Sequence, residues 1–200
     1  MTEPLVGWRI WSLGDGRLRS WAVDYYWKPG ENVAICLTCR SRACASAPGQ
    51  HCQCGFWAVW SPLDCVVRAC TANEPPWHVM GLVAGWGTVA LHGREGFRAE
   101  RAQLLCLFTD RPWAASTRAR TPGRLAGWWR RALGRPDALE PELAREARHV
   151  ADLDAVAARY VVPLVSLRGA IALGLLSELG LPPTHIEEAS RLATGVTADA

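Results

Sequence analysis

Lysine is almost missing from this chain: Lys28 is the only one, and every other cationic side chain of fixed charge is arginine. With abundant Ala, Gly, Pro and Leu, that bias reads as the coding preference of a GC-rich genome before it reads as arginine-specific recognition. Also missing are the short signatures by which many enzymes declare their chemistry. There is no Gly-rich phosphate loop of the Walker type, no Gly-x-Ser-x-Gly turn and no His-Glu-x-x-His helix. Their absence removes the common routes to recognition without excluding an enzyme. No basic segment followed by an apolar run opens the chain, so no secretory signal is visible and the expected compartment is cytoplasmic. A membrane span needs about 20 continuous apolar residues. The one candidate, residues 161–181, is broken by Pro163, Arg168 and Glu178, and it reads as a buried element rather than a transmembrane segment.

Cysteine is what the chain has in concentration. Of eight, five fall between Cys36 and Cys54: Cys36 and Cys39, then Cys44, then Cys52 and Cys54, with His51 beside the last pair. In a reducing compartment, thiols gathered in one stretch point to a metal before they point to disulfides. Two-residue spacing lets a tight turn present Cys36 and Cys39 to one ion. Cys52 and Cys54 point the same way if the backbone there is extended or turning, and Gly55 lets the chain turn away behind them. Five cysteines for four tetrahedral positions leave one over, Cys44 can stand in for Cys39, and His51 can replace either later cysteine. A closed set of four protein ligands implies structural zinc, because catalysis needs an open position. An iron-sulfur cluster is the alternative cofactor. Residues 40–50 hold little that builds a core, and zinc binding, which contributes on the order of 10 kcal/mol in short peptides, supplies what they lack. Cys65, Cys70 and Cys106 lie outside the cluster and read as inert core residues.

Hydrophobic patterning places the elements. Gly14-Asp15-Gly16 between two Trp- and Val-rich runs, 6–11 and 17–23, predicts an opening β-hairpin. Residues 33–35 and 56–60 are short apolar runs on either side of the cysteine loop. Ser61-Pro62 predicts a helix start, with Ser61 as N-cap, for a helix over 63–72. The run 79–91, with glycines at 81, 85 and 87, suits a strand buried on both faces, with bends or bulges. Residues 97–101 and 104–108 return as strand. From Arg111 to Arg135 every charge is positive, Arg118, Arg120, Arg124, Arg130 and Arg131 among them, which predicts a basic linker with a short helix near 125–133 and possible anion contacts. Leu143, Ala147, Val150, Leu153 and Ala157 recur at helical spacing, and a second helix is predicted over 167–179, stopped by Gly180 and Pro182-Pro183.

These readings sum to an α+β protein. A small Trp-rich antiparallel β domain with a zinc-tied loop (1–110) is followed by an Arg-rich linker (111–136), a helical C-terminal segment (137–183) and a fraying tail (184–200). Besides the cysteines, His92, Arg98 and Glu100 form a distinctive grouping. Functionally they would offer a base, an anion-binding fork and a carboxylate; structurally they would be a turn histidine and an Arg-Glu pair bracing adjacent strands. The eleven tryptophans serve either as core fillers, Trp8, Trp11, Trp21, Trp57 and Trp86 first, or, at Trp113, Trp128 and Trp129 beside Arg130 and Arg131, as base-stacking surfaces.

Taken together, Gly7-Trp8-Arg9-Ile10-Trp11, Ala47-Pro48 leading to Cys52-Gln53-Cys54-Gly55-Phe56-Trp57-Ala58, and the segment from Trp86 to Glu100 resemble a family of small uncharacterised actinobacterial proteins over about the first 110 residues. The resemblance implies a Cys-x-Cys-Gly pair with an upstream cysteine and often a histidine before the Ala-Pro; Cys44 lies near that histidine's place, which favours Cys36, Cys44, Cys52 and Cys54 as ligands with Cys39 spare, and the resemblance carries no activity. The function these observations favour is a non-enzymatic zinc-stabilised interaction module whose partner is a protein or a nucleic acid. A nucleic-acid-binding regulator using the Arg-rich linker, and an iron-sulfur redox sensor or metalloenzyme, are the alternatives.

Overall fold

A computed structural model describes residues 3–20, 22–37, 44, 46–71, 78–110 and 139–194. The chain is mixed α+β. Strands β1 (Leu5–Gly14) and β2 (Arg17–Ser20) form the opening hairpin, with Asp15 and Gly16 both at positive φ, 52° and 64°, as a two-residue turn matched to strand twist requires. Strands β3 (Glu31–Val33) and β4 (Phe56–Val59) flank the cysteine loop, helix α1 (Pro62–Thr71) follows, and β5 (His78–Leu91) and β6 (Gly96–Phe108) form a long hairpin. Ser61 caps α1, its Oγ accepting from the amides of Leu63 (3.1 Å) and Asp64 (3.4 Å).

Pairing closes the sheet on itself. β1 pairs with β5, β5 with β6, β6 with β4, and β4 with β1 at Trp8 and Val59, all antiparallel. Register shifts at Leu82/Val83 and Trp86/Val89 bend the long hairpin, as the glycine-punctuated run predicts, and β6 is continuous where the sequence suggested two pieces. One edge of β6 carries β5 along its length. The other carries in succession β4, β3 and the two-residue parallel strand β7 (Leu164–Val165).

The sheet buries both faces. Trp11, Trp27, Phe56, Val83 and Phe97 form one core with Leu153, Val156 and Tyr160 of α2 (Leu139–Tyr160). Trp8, Ile10, Met80, Leu82 and Phe108 form the other, closed by Cys65 of α1 and by Leu167, Leu176 and Ala189 of the last three helices, α3 (Leu167–Ala172), α4 (Leu175–Glu178) and α5 (Pro183–Thr194). Tyr160 fastens α2: its hydroxyl donates to the Trp27 carbonyl (2.7 Å) and accepts from the Leu18 amide (3.2 Å). Leu167 N–H, at the start of α3, donates to the Asp110 carboxylate.

Two expectations change. The single helix over 167–179 is divided, because Gly174 takes a left-handed φ of 70° and ends the first turn series. Residues 184–194, read as a fraying tail, form most of α5; Pro183 sits in the first turn, where its missing N–H costs nothing, and Ser61 Oγ donates to Glu188 (2.8 Å) to hold the helix against α1. The Arg-rich segment, with Arg118, Arg120, Arg124, Arg130 and Arg131 and its expected helix at 125–133, lies outside the described residues, as does Trp21. Among the described residues, no helix is long and apolar enough to cross a membrane.

Candidate metal centre

The cysteine loop leaves β3 and re-enters β4, and both strands pair with neighbouring stretches of the same edge of β6, residues 101–103 and 96–99. The loop's two ends are therefore delivered side by side. The Ala34 amide donates to the Glu100 carbonyl (2.7 Å), fixing the outgoing end just before Cys36. At the returning end Gly55, at φ 111°, turns the chain from Cys54 into β4.

Between those ends Cys36, Cys44, Cys52 and Cys54 converge, and their four sulfurs lie within 4.8 Å of one another. Cys36 Sγ and Cys52 Sγ are 3.7 Å apart. A zinc-thiolate bond of about 2.3 Å at the tetrahedral angle places ligand sulfurs about 3.8 Å apart. The spacing is thus far too long for a disulfide, whose sulfurs bond at about 2.05 Å, and it matches four thiolates around one ion. Cys54 is buried while the other three are half-buried. This set could hold a metal ion. Cys39 lies outside the described residues; His51 is exposed and is not a member of the four.

The loop's backbone serves the same point. The Gly49 amide donates to Cys54 Sγ (3.1 Å), and a Cβ at Gly49 would stand 2.5 Å from Cys44 Sγ and 3.2 Å from Cys52 Cβ. Glycine is required there by space. Burial pushes the free Cys54 thiol up, and the Gly49 N–H works against that rise by favouring the thiolate.

Arg98 is the support that the sequence reading misassigned. From β6 its buried guanidinium donates through Nη1 to the carbonyls of Cys52 and Cys54, the latter at 2.9 Å, and through Nε to His92 Nε2 (2.7 Å), while its charge lies 5.5 Å from the centre of the Trp57 ring. Guanidinium only donates, so His92 Nε2 is the unprotonated nitrogen. His92 also lies against Trp57, with ring centres 4.4 Å apart. His92 and Arg98 are thus brought together, but Glu100 does not join them. Its carboxylate accepts from the Thr88 amide (3.0 Å), which holds its pKa below the usual range, and it approaches Arg101 at 3.9 Å. The braced Arg-Glu pair expected between 98 and 100 is replaced by an arginine that ties the Cys-x-Cys backbone to the sheet. Four thiolates around a divalent ion carry a net charge of −2, and a buried cation on the adjoining carbonyls offsets part of it.

Cys65 and Cys106 behave as inert core residues, burial pushing both thiols up to about 12; the side chain of Cys70 lies outside the described residues. Trp8 and Trp11 are fully buried as expected, Trp57 and Trp86 are half-buried, and Trp27 joins the core without having been singled out. Compared with protein-family models, with curated proteins and with solved structures, the chain matches none. The meaning of the centre therefore rests on its own residues.

Proposed function

We propose that this protein is a non-enzymatic interaction module whose cysteine loop is held by one structural zinc ion on Cys36, Cys44, Cys52 and Cys54, and which binds a macromolecular partner. The convergence of four sulfurs within 4.8 Å carries the reading. Four thiolates fill a tetrahedral sphere and leave no position for water or substrate, which favours a structural over a catalytic ion. So compact a set also favours a single ion over a multi-iron cluster, whose bridging sulfides hold the cysteines further apart. His92 is engaged by Arg98 and stacked on Trp57, which suits bracing rather than proton transfer. Exposed Ile35 and Leu37, flanking Cys36, give the loop an apolar outer surface for a partner that the ion would hold in shape.

Metal analysis combined with an absorption spectrum of the purified chain tests the centre. The expected result is one zinc per chain and a colourless protein, lost together with the loop's structure in a Cys52→Ala, Cys54→Ala variant. Iron with visible absorption would replace zinc by an iron centre, and retention of fold and stability without metal would reject the reading. Ile35→Glu with Leu37→Glu tests the partner surface, since it should abolish association with a macromolecular partner while leaving metal content unchanged.

A further inference from the structure

A cavity of about 520 Å³ opens beside β1 where that strand passes from β4 to β2. β4 pairs with β1 at Trp8, β2 begins its pairing at Trp11, and the stretch between, Arg9 and Ile10, borders the cavity. Its walls are mostly apolar, with Ile10, Val23 and Trp57 among them, and its size falls in the range of small-molecule sites. Arg68 and Glu95, which also line it, carry opposite charges, so the charge left over is that of Arg9.

Arg9 is an unusual residue for such a wall. One nitrogen donates to the Trp57 carbonyl and another to Ser20 Oγ (3.0 Å), while its Nε–H is enclosed without an acceptor. Among the described residues no carboxylate forms an ion pair with it. The guanidinium lies 5.0 Å from the Trp27 ring and 5.9 Å from the Trp11 ring, which soften the cost of its burial without cancelling its charge. Burial lowers its pKa to about 10, so it remains a cation at neutral pH. Holding a carbonyl and a hydroxyl requires donors; it does not require a full positive charge in a poorly solvated wall. Three of the five guanidinium N–H groups remain beyond those two bonds, and a planar carboxylate is the acceptor that matches their geometry.

We propose that this cavity binds a small amphipathic monocarboxylate, its apolar body against Ile10, Val23 and Trp57 and its carboxylate on the Arg9 guanidinium. The site is separate from the cysteine centre, although Cys54 borders both, and its occupancy does not depend on which metal the thiols hold.

Titration of the purified full-length chain with octanoate and with 1-octanol, followed calorimetrically and by tryptophan fluorescence, tests this. Octanoate should bind one per chain at least tenfold more tightly than the alcohol of the same length. Arg9→Gln should remove that preference, and Val23→Trp, which narrows the cavity without touching the cation, should weaken both probes at least tenfold. If Arg9→Gln does not fold, the acid-over-alcohol preference of the unaltered chain together with the weakening of both probes in Val23→Trp decides for the site. Absence of octanoate binding, equal affinity for the two probes, or binding that survives Val23→Trp overturns it, and equal affinity would leave Arg9 as a clamp between β1, β4 and β2.

Discussion

Arg98 braces the cysteine centre without being one of the four converging residues. Its donors meet two carbonyls of the Cys52-Gln53-Cys54 segment, so removing them leaves buried acceptors unpaired. Arg98→Met, which keeps the apolar stem and loses the donors, should destabilise the fold by about 1–3 kcal/mol and weaken metal binding about 10- to 100-fold, as read by denaturant unfolding and by competition with a chromogenic chelator. Unchanged metal affinity would show that the carbonyls hold their positions without it. Gly49→Ala makes a complementary test, because the added methyl meets the Cys44 sulfur at 2.5 Å. Overpacking of that kind costs about 1–3 kcal/mol, and here it should appear as lost metal affinity with the strand content intact by circular dichroism. The cysteines themselves were legible in the sequence because thiols crowded into a core-poor loop have little to do there except hold an ion. The roles of Arg98 and Arg9 were not, since each depends on strand neighbours 40 or more residues away, Cys54 and Trp57 respectively.

At the scale of elements, what could be read were the features set by local chemistry. Asp15-Gly16 specified its turn, Ser61-Pro62 its helix start, and the spacing of Leu153 and Ala157 the buried stripe of α2. Features decided by tertiary contact stayed hidden. The division of α3 from α4 depends on one glycine in a segment of otherwise helical pattern, and α5 owes its place to contacts with α1 that no local spacing announces. That docking should respond to acid. His185 of α5 lies against Trp60, ring centres 5.9 Å apart, and burial lowers its pKa in the fold, Glu188 opposing. The unfolded chain therefore takes up the proton first, near 6.5. The neutral histidine costs nothing above that value, and stability falls as pH drops through it. His185→Gln should flatten the decline in urea midpoint between pH 7.5 and 5.5, and an unchanged slope would place the acid sensitivity elsewhere.

For the whole molecule, the sheet is covered on one face by α2 and on the other by α1 and the last three helices, so strands and helices share both cores. A basic linker between a β unit and a helical appendage was the natural reading of charge alone, because composition reveals a change of character along the chain but not which surfaces meet. Shared cores predict a single cooperative unfolding transition in calorimetry for the metal-loaded chain. They also predict that a fragment ending at residue 110 aggregates, since it exposes Trp8 and Met80 on one face and Trp11 and Val83 on the other. Two well-separated transitions, or a stable monomeric fragment, would contradict this.

The position of β6 sets the order in which such a chain can be made. As the nascent polypeptide emerges, all four converging cysteines leave the ribosome well before residues 96–103, which provide the edge that brings β3 and β4 together. Until then the thiols are exposed to oxidants and to competing ions on an untethered loop. Convergence of the four sulfurs therefore has to wait for the second half of the hairpin, and any ion they take as a set of four is taken after that.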